Sequence, residues 1–234
     1  MLIIVPARKG SKGIAGKNTK SFCGHPLIEW SFAAARKMAH GLGARIVCTT
    51  DDPEIATLIA ARYQGDIELH DRAADLANDT AGMAEVVLDV CDAFKAERYV
   101  LLQPTTPLRL AVDLTRLVQA TLAHDTVVSC TEPVEHPEDI IKLDGHLGQP
   151  AIDAQKSTRR QDRATQYRFI DGGYYSGIVE TLRGQNSFLP ADTFYQTLEV
   201  PAGVDIDTQF DWMMAKAQHD WLTAEGYDFV HPNR

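Results

Sequence analysis

A chain of 234 residues with 44% hydrophobic and 24% charged residues has room for one α/β domain with an ample core, and no apolar run approaches the roughly 18 to 20 residues that cross a bilayer. The formal net charge of −9 repels nucleic acid and anionic lipid, so any phosphate-binding role has to come from a local basic cluster. The four cysteines, Cys23, Cys48, Cys91 and Cys130, show no CxxC or Cys/His ligand spacing, which argues against a zinc site or a disulfide framework and suits a reduced cytoplasm.

The opening apolar run has no basic segment before it and is too short for a secretory signal, so residues 2–7 read as a first strand. Further Val/Ile/Leu-rich runs at 45–50, 67–70, 99–103 and 126–130 are apolar throughout rather than alternating, the pattern of strands buried on both faces. Helical segments at 26–38, 53–63, 80–95 and 112–124 separate them, with Pro26 and Pro53 at first-turn positions where a missing N–H costs nothing. The alternation predicts a doubly wound α/β fold with a mostly parallel central sheet. From about 133 to 168 the sequence becomes charged and turn-rich, an excursion from the sheet. Strands at 174–179 and 195–200 follow, and 208–223 closes the chain as a helix, with Asp207 placed to cap it. Trp30, Phe32, Met38, Trp212, Met213 and Trp221 fit buried helix faces. The eight histidines form no close pair or triad.

The segment Arg8-Lys9-Gly10-Ser11-Lys12-Gly13-Ile14-Ala15-Gly16-Lys17-Asn18 holds four cations and three glycines within eleven residues. Such a loop can wrap a triphosphate, because glycines let backbone N–H groups approach phosphate oxygens while Lys and Arg supply charge and hydrogen bonds. Its position after the first strand is where open α/β sheets bind ligands. Five residues rather than four separate Gly10 from Gly16, and Asn18 follows Lys17, so it is no Walker A loop. On composition alone a solvated basic turn is the competing reading.

The combination of Pro6-Ala7-Arg8, Ser11-Lys12-Gly13 and Lys17-Asn18 resembles the opening signature of the acylneuraminate cytidylyltransferases, the CMP-sialic acid synthetase family. Thr49-Thr50-Asp51, the run from Arg72 to Ala81, Gln103-Pro104-Thr105-Thr106-Pro107-Leu108-Arg109 and Asp205-Ile206-Asp207-Thr208 agree with it in order. The resemblance implies one domain over 1–234 with a Rossmann-like nucleotide-diphospho-sugar transferase fold, and CTP and a nonulosonic acid as substrates. Arg8, Ser11, Lys12 and Lys17 would contact the CTP phosphates; Asn18, Arg72 and the Ala81 region would hold ribose and cytosine, and Gln103 would touch the sugar acid. Taken alone, Arg72 reads as a surface cation, the more common fate of a lone Arg before an Ala-rich turn.

Asp205 and Asp207 lie two residues apart, so on an extended segment both carboxylates face one side and can share Mg²⁺. The expected reaction is in-line attack of the sugar acid's anomeric hydroxyl on the α-phosphorus of CTP, with loss of pyrophosphate. Asp207, through a bound Mg²⁺, is expected to lower the pKa of that hydroxyl; Asp205 would steady the triphosphate, and Arg8 and Lys17 would offset charge on the leaving group.

Lys156, Arg159, Arg160, Arg163 and Arg168 gather in the excursion, which the resemblance implies is a homodimerisation arm (residues 133–172) reaching the partner's site. Arg160 is chosen to grip the sugar acid's carboxylate; salt bridges across a subunit interface are the competing reading of that cluster. Asp171-Gly172-Gly173 stands where many of these enzymes read Asn-Gly, and Met83 where a small polar residue is usual. N-Acetylneuraminate, legionaminate and pseudaminate therefore all stay open as substrates. The rival readings are a Kdo cytidylyltransferase, which typically carries a different turn at Gln103 to Pro107, and a non-catalytic nucleotide-binding module.

Overall fold

The computed structural model describes residues 1–10, 13–78, 80–152, 165–199 and 204–233. The assignments to Ser11, Lys12 and Arg160 lie outside the described residues. Strands β1 (Leu2–Pro6), β4 (Arg45–Thr50), β5 (Glu68–Asp71), β6 (Arg98–Leu102), β7 (Val127–Thr131), β10 (Phe169–Ile178) and β11 (Phe194–Thr197) form one sheet, in the order β11-β7-β10-β6-β1-β4-β5. Helices α1 (Leu27–Leu42), α2 (Pro53–Arg62), α3 (Met83–Ala93), α4 (Ala111–Ala123), α5 (Val179–Gln185) and α6 (Gln209–Ala224) accompany it. Two small hairpins, β2 (Ser21–Phe22) with β3 (His25–Pro26) and β8 (Ile141–Asp144) with β9 (Leu147–Pro150), stand outside it.

β1 pairs in parallel with β4 and β6, and β4 with β5. β10 is the reversed strand, antiparallel to both β6 and β7, and β11 runs parallel to β7. The sheet is thus mostly parallel and Rossmann-like, as expected. Every residue of β1 is buried, and its side chains alternate between two cores. Ile3 and Val5 pack with Phe32 and Met38 of α1, whereas Leu2 and Ile4 pack with Val87 and Val90 of α3. Burial on both faces is why these strands read as unbroken apolar runs.

A third cluster joins Ile14, Phe22, Trp30, Ile206, Trp212 and Leu222. It ties the basic loop and the chain's last strand-like segment to α6, each fully buried large side chain contributing about 1.5 to 3 kcal/mol. Trp30, Phe32, Met38 and Trp212 are buried, but Met213 and Trp221 are 58% and 44% exposed. Each residue of a helix turns about 100° from the last, so Met213 points away from the face that Trp212, Ala215 and Leu222 bury.

Several boundaries differ from the sequence reading. α3 starts at Met83 rather than residue 80, because the Asn78 carboxamide oxygen accepts from the N–H groups of Thr80 and Ala81 at 2.8 and 2.9 Å and so competes with the helix. α6 is capped by Thr208, not Asp207. The Thr208 hydroxyl accepts from Asp211 N at 3.3 Å, and the Asp211 carboxylate accepts from Thr208 N at 2.7 Å, a reciprocal capping pair. Residues 133–152 leave the sheet in a short 3₁₀ turn and the exposed β8–β9 hairpin, and the chain re-enters the sheet at Phe169. Among the described residues no helix is long and apolar enough to cross a membrane.

Candidate active site

The chain leaves β1 for β4 and β5 on one side, then crosses back through α3 to β6 on the other side of β1. That reversal opens a crevice beyond the carboxyl ends of β1 and β6, the place where open α/β sheets bind ligands. A cleft of about 340 Å³ lies there, lined among others by Arg8, Lys17, Asn18, Arg72, Gln103 and Asp207. Six residues assigned from sequence therefore meet at one place. They come from the ends of three strands and from a segment nearly 200 residues away.

The basic loop is bound to the frame at both ends. Ala7 N donates to Thr49 O at 3.0 Å, the Thr50 hydroxyl donates to Ala7 O at 2.5 Å, and Lys9 N donates to the Asp51 carboxylate at 2.6 Å. Downstream, Gly16 takes φ +59°, a conformation costly for a side-chain-bearing residue, and its carbonyl accepts from Thr19 N and Lys20 N at 3.1 and 2.9 Å. Asn18 closes the turn by donating from Nδ2 to Arg8 O at 3.4 Å. Ile14 is buried in the third cluster. The competing reading of a merely solvated turn does not hold for this part of the loop.

Lys17 is 9% exposed, and its ammonium donates to Ile206 O at 2.7 Å and to Asp207 Oδ1 at 3.1 Å. Gly13 lies so close to the same segment that a Cβ there would stand 1.9 Å from Asp207 O. Ile206 is fully buried while Asp205 and Asp207 are exposed, so the extended segment turns its two carboxylates away from the core together. Partial desolvation raises the Asp205 pKa, the Thr105 side-chain hydrogen bond lowers it, and the charge of Asp207 raises it. With Thr208 as the cap, Asp207 is free of the helix end and faces the cleft.

Arg72 is 5% exposed. Its Nη2 donates to Thr49 O at 2.9 Å and its Nε to Thr49 Oγ1 at 3.4 Å. Burial lowers its pKa, the Asp51 charge raises it, and Arg8 lowers it. This guanidinium is built into the wall of the cleft rather than lying on the surface. Ala81 is half-buried at the turn before α3 but does not line the cleft; Met83, two residues on, does.

Arg109, which closes the run from Gln103 to Arg109, had no role assigned to it from sequence. It is 5% exposed and donates to Gln103 O at 2.8 Å, to Gly173 O at 3.2 Å and to the Ser31 hydroxyl at 3.1 Å. Burial pushes its pKa down to about 10, against the pull of Asp171. Asp171, also buried, accepts from Ser129 Oγ at 2.7 Å and Gly173 N at 2.6 Å. Together they brace the loop after β6 against the irregular stretch of β10 where Gly172 takes φ +76°. The available sequence signal was a charged residue inside the apolar run Leu108-Arg109-Leu110, which predicts a buried, partnered cation.

A cationic loop, a built-in arginine and two outward aspartates at the switch point of a mostly parallel sheet define an α/β enzyme of the nucleotidyltransferase class. The sequence profile described as cytidylyltransferase matches residues 2–171, most of the chain, and the chain belongs to that family. It is similar to the CMP-N,N'-diacetyllegionaminic acid synthase of Legionella pneumophila, at 28% identity over 92% of this chain and 94% of that one. It is also similar to an N-acylneuraminate cytidylyltransferase of Streptococcus agalactiae, at 28% identity over 97% of this chain but 57% of the relative, so it spans little more than half of that longer protein. The fold matches a solved structure of CMP:2-keto-3-deoxy-manno-octonic acid synthetase complexed with CTP, with TM-score 0.63 and 17% identity, covering 94% and 98% of the two chains.

Proposed function

We propose that this protein transfers CMP from CTP to the anomeric hydroxyl of a nonulosonic acid, an N-acylneuraminate, legionaminate or pseudaminate, releasing pyrophosphate. The observation that carries this reading is the convergence of Arg8, Lys17, Asn18, Arg72, Gln103 and Asp207 on one cleft. The names of the Legionella and Streptococcus relatives support the choice of sugar. In this reading Arg8, with Ser11 and Lys12 from the same loop, faces the triphosphate. Asn18, Arg72 and the turn at Ala81 face the nucleoside, and Gln103 and Met83 face the sugar acid.

The residues present fit Mg²⁺. Asp205 and Asp207 project to one side and feel each other's charge, and two carboxylates completed by phosphate oxygens form the hard donor set this ion takes. When bound, Mg²⁺ would neutralise the triphosphate and lower the pKa of the attacking hydroxyl. The remaining work falls to the protein. The anomeric hydroxyl gives up its proton to solvent and its oxygen bonds to the α-phosphorus as the bridging bond to the β-phosphate breaks, so that pyrophosphate leaves with the bonding electrons. Lys17, clamped between Ile206 O and Asp207, holds the aspartate segment against the loop, and Arg8 offsets the charge gathering on the leaving group.

The same reading includes a cytoplasmic homodimer. The β8–β9 hairpin leaves Ile141 and Leu143 55% and 61% exposed on one of its faces, an apolar patch that a second copy would cover, and Arg160 is assigned to the sugar acid's carboxylate. The test mixes purified protein, CTP and Mg²⁺ with a panel of nonulosonates and Kdo and measures pyrophosphate. Release with a nonulosonate is the expected result. Release with Kdo alone would move the protein to the Kdo branch, and CTP binding without release from any of them would support the non-catalytic alternative.

A further inference from the structure

Behind Arg72 a line of polar groups runs through the sheet to α3. Thr49 of β4 and His70 of β5 are partners in the parallel ladder, and Thr49 Oγ1 lies 3.1 Å from His70 Nδ1. On the far side of the ring, His70 Nε2 is 3.5 Å from Asp89 Oδ2 on α3. The His70 side chain is 13% exposed and its ring packs 6.0 Å from that of Phe94. Thr49 is fully buried, so its hydroxyl has no water to turn to.

Proton placement along this line follows from the carboxylate at its far end. The Asp89 carboxylate accepts only, so it favours the tautomer carrying the proton on Nε2. In that tautomer Nδ1 is a lone pair, to which the Thr49 hydroxyl can donate its single proton. With that proton committed, the hydroxyl's lone pairs are left for Arg72 Nε, 3.4 Å away, while Thr49 O takes Nη2 at 2.9 Å. Two of the three guanidinium nitrogens are thereby fixed on one residue. Among the described residues Nη1 makes no hydrogen bond, and Arg72 lines the cleft.

We infer that His70, oriented by Asp89, is a positioning residue for nucleotide binding: it fixes the Thr49 hydroxyl as an acceptor and so pins Arg72 with its third nitrogen presented to CTP. The inference rests on the reading of Arg72 as a nucleotide contact. A flexible arginine would have to be immobilised at the moment of binding, at a cost in affinity; this one is already held. Neither His70 nor Asp89 touches the cleft lining, so their effect reaches the ligand through Arg72.

The experiment is calorimetric titration of CTP into the full chain carrying His70→Leu, His70→Asn, Arg72→Ala, or His70→Leu together with Arg72→Ala, with melting temperatures recorded for each. His70→Leu leaves the Thr49 proton without an acceptor and is expected to weaken CTP binding about five- to tenfold. His70→Asn can place its Oδ1 where Nδ1 stands and is expected to recover most of that loss, which a purely structural role for the ring would not allow. Arg72→Ala is expected to weaken CTP more than His70→Leu, and the double variant no further than Arg72→Ala alone, because positions that act through one contact are not additive. Wild-type CTP affinity in a folded His70→Leu chain, or additive losses in the double variant, would overturn the positioning role while leaving Arg72 a nucleotide contact. Unchanged affinity in Arg72→Ala would overturn both.

Discussion

Gly13→Ala tests the join between the loop and the aspartates with the smallest available change. A Cβ at residue 13 would stand 1.9 Å from Asp207 O and 3.1 Å from Asp207 C. Ordinary contact needs about 3.5 Å, so loop and segment must separate by about 1.5 Å. The displaced atoms are backbone, with no side-chain rotamer to absorb the strain. The Lys17 bonds to Ile206 O and Asp207, at 2.7 and 3.1 Å, would open by a similar amount. Overpacking of this kind costs about 1 to 3 kcal/mol, a fall of several degrees in Tm. Misplacing a reacting group by about 1 Å can cost on the order of a hundredfold in rate. The expected outcome is therefore a folded protein whose kcat/KM for pyrophosphate release falls about a hundredfold at saturating Mg²⁺. Gly16→Ala is the control: its φ of +59° adds backbone strain, yet the nearest atom to its Cβ would be Thr19 Oγ1 at 3.6 Å. It should lose about 1 kcal/mol of stability and far less activity. If Gly13→Ala keeps kcat/KM within about threefold of wild type, the close approach of loop and aspartates is not what aligns the site.

Two further predictions follow from the charges. Asp207→Asn should lower turnover by about a hundredfold or more with Mg²⁺ saturating and leave the fold intact, since the Thr208–Asp211 pair caps α6 without it; near-wild-type pyrophosphate release would remove Asp207 from the reaction. Burial pushes the Asp113 carboxyl up to about 6, with Glu199 N hydrogen-bonding it, from an ordinary value near 3.9. The folded chain therefore holds an extra proton between those values, and this site's contribution to stability is full below about pH 4 and lost as pH rises through about 6. Relative to Asp113→Asn, wild type should lose about 2 to 3 kcal/mol over that window, at 1.36 kcal/mol per unit, read from urea unfolding at pH 4.5 and 7.5. An equal difference between the two proteins at both pH values would contradict the burial argument.

Much of this protein was legible in its sequence because the relevant signals are local. Unbroken apolar runs at 2–7, 45–50 and 99–103 mark strands buried on both faces, and alternation with helical segments implies crossovers and a parallel sheet. Arg8 through Asn18 declares its chemistry by composition, and the two-residue spacing of Asp205 and Asp207 already implies a common side.

Contacts made between distant residues settled the rest. The reversed direction of β10 is set by its partners β6 and β7, and a strand's own residues do not encode it. Whether Asp207 or its neighbour Thr208 caps α6 depended on which side chain the turn brings onto the first N–H groups, and the outcome decided that Asp207 faces the cleft. Lys17 and Asp207 are 190 residues apart, so their contact needed the whole sheet to be assembled between them. Arg72 and Arg109, read alone, were exposed cations or unremarked. Only packing could show which backbone carbonyls hold each of them, because the partners that compensate desolvation belong to an enclosure that no short stretch of chain contains.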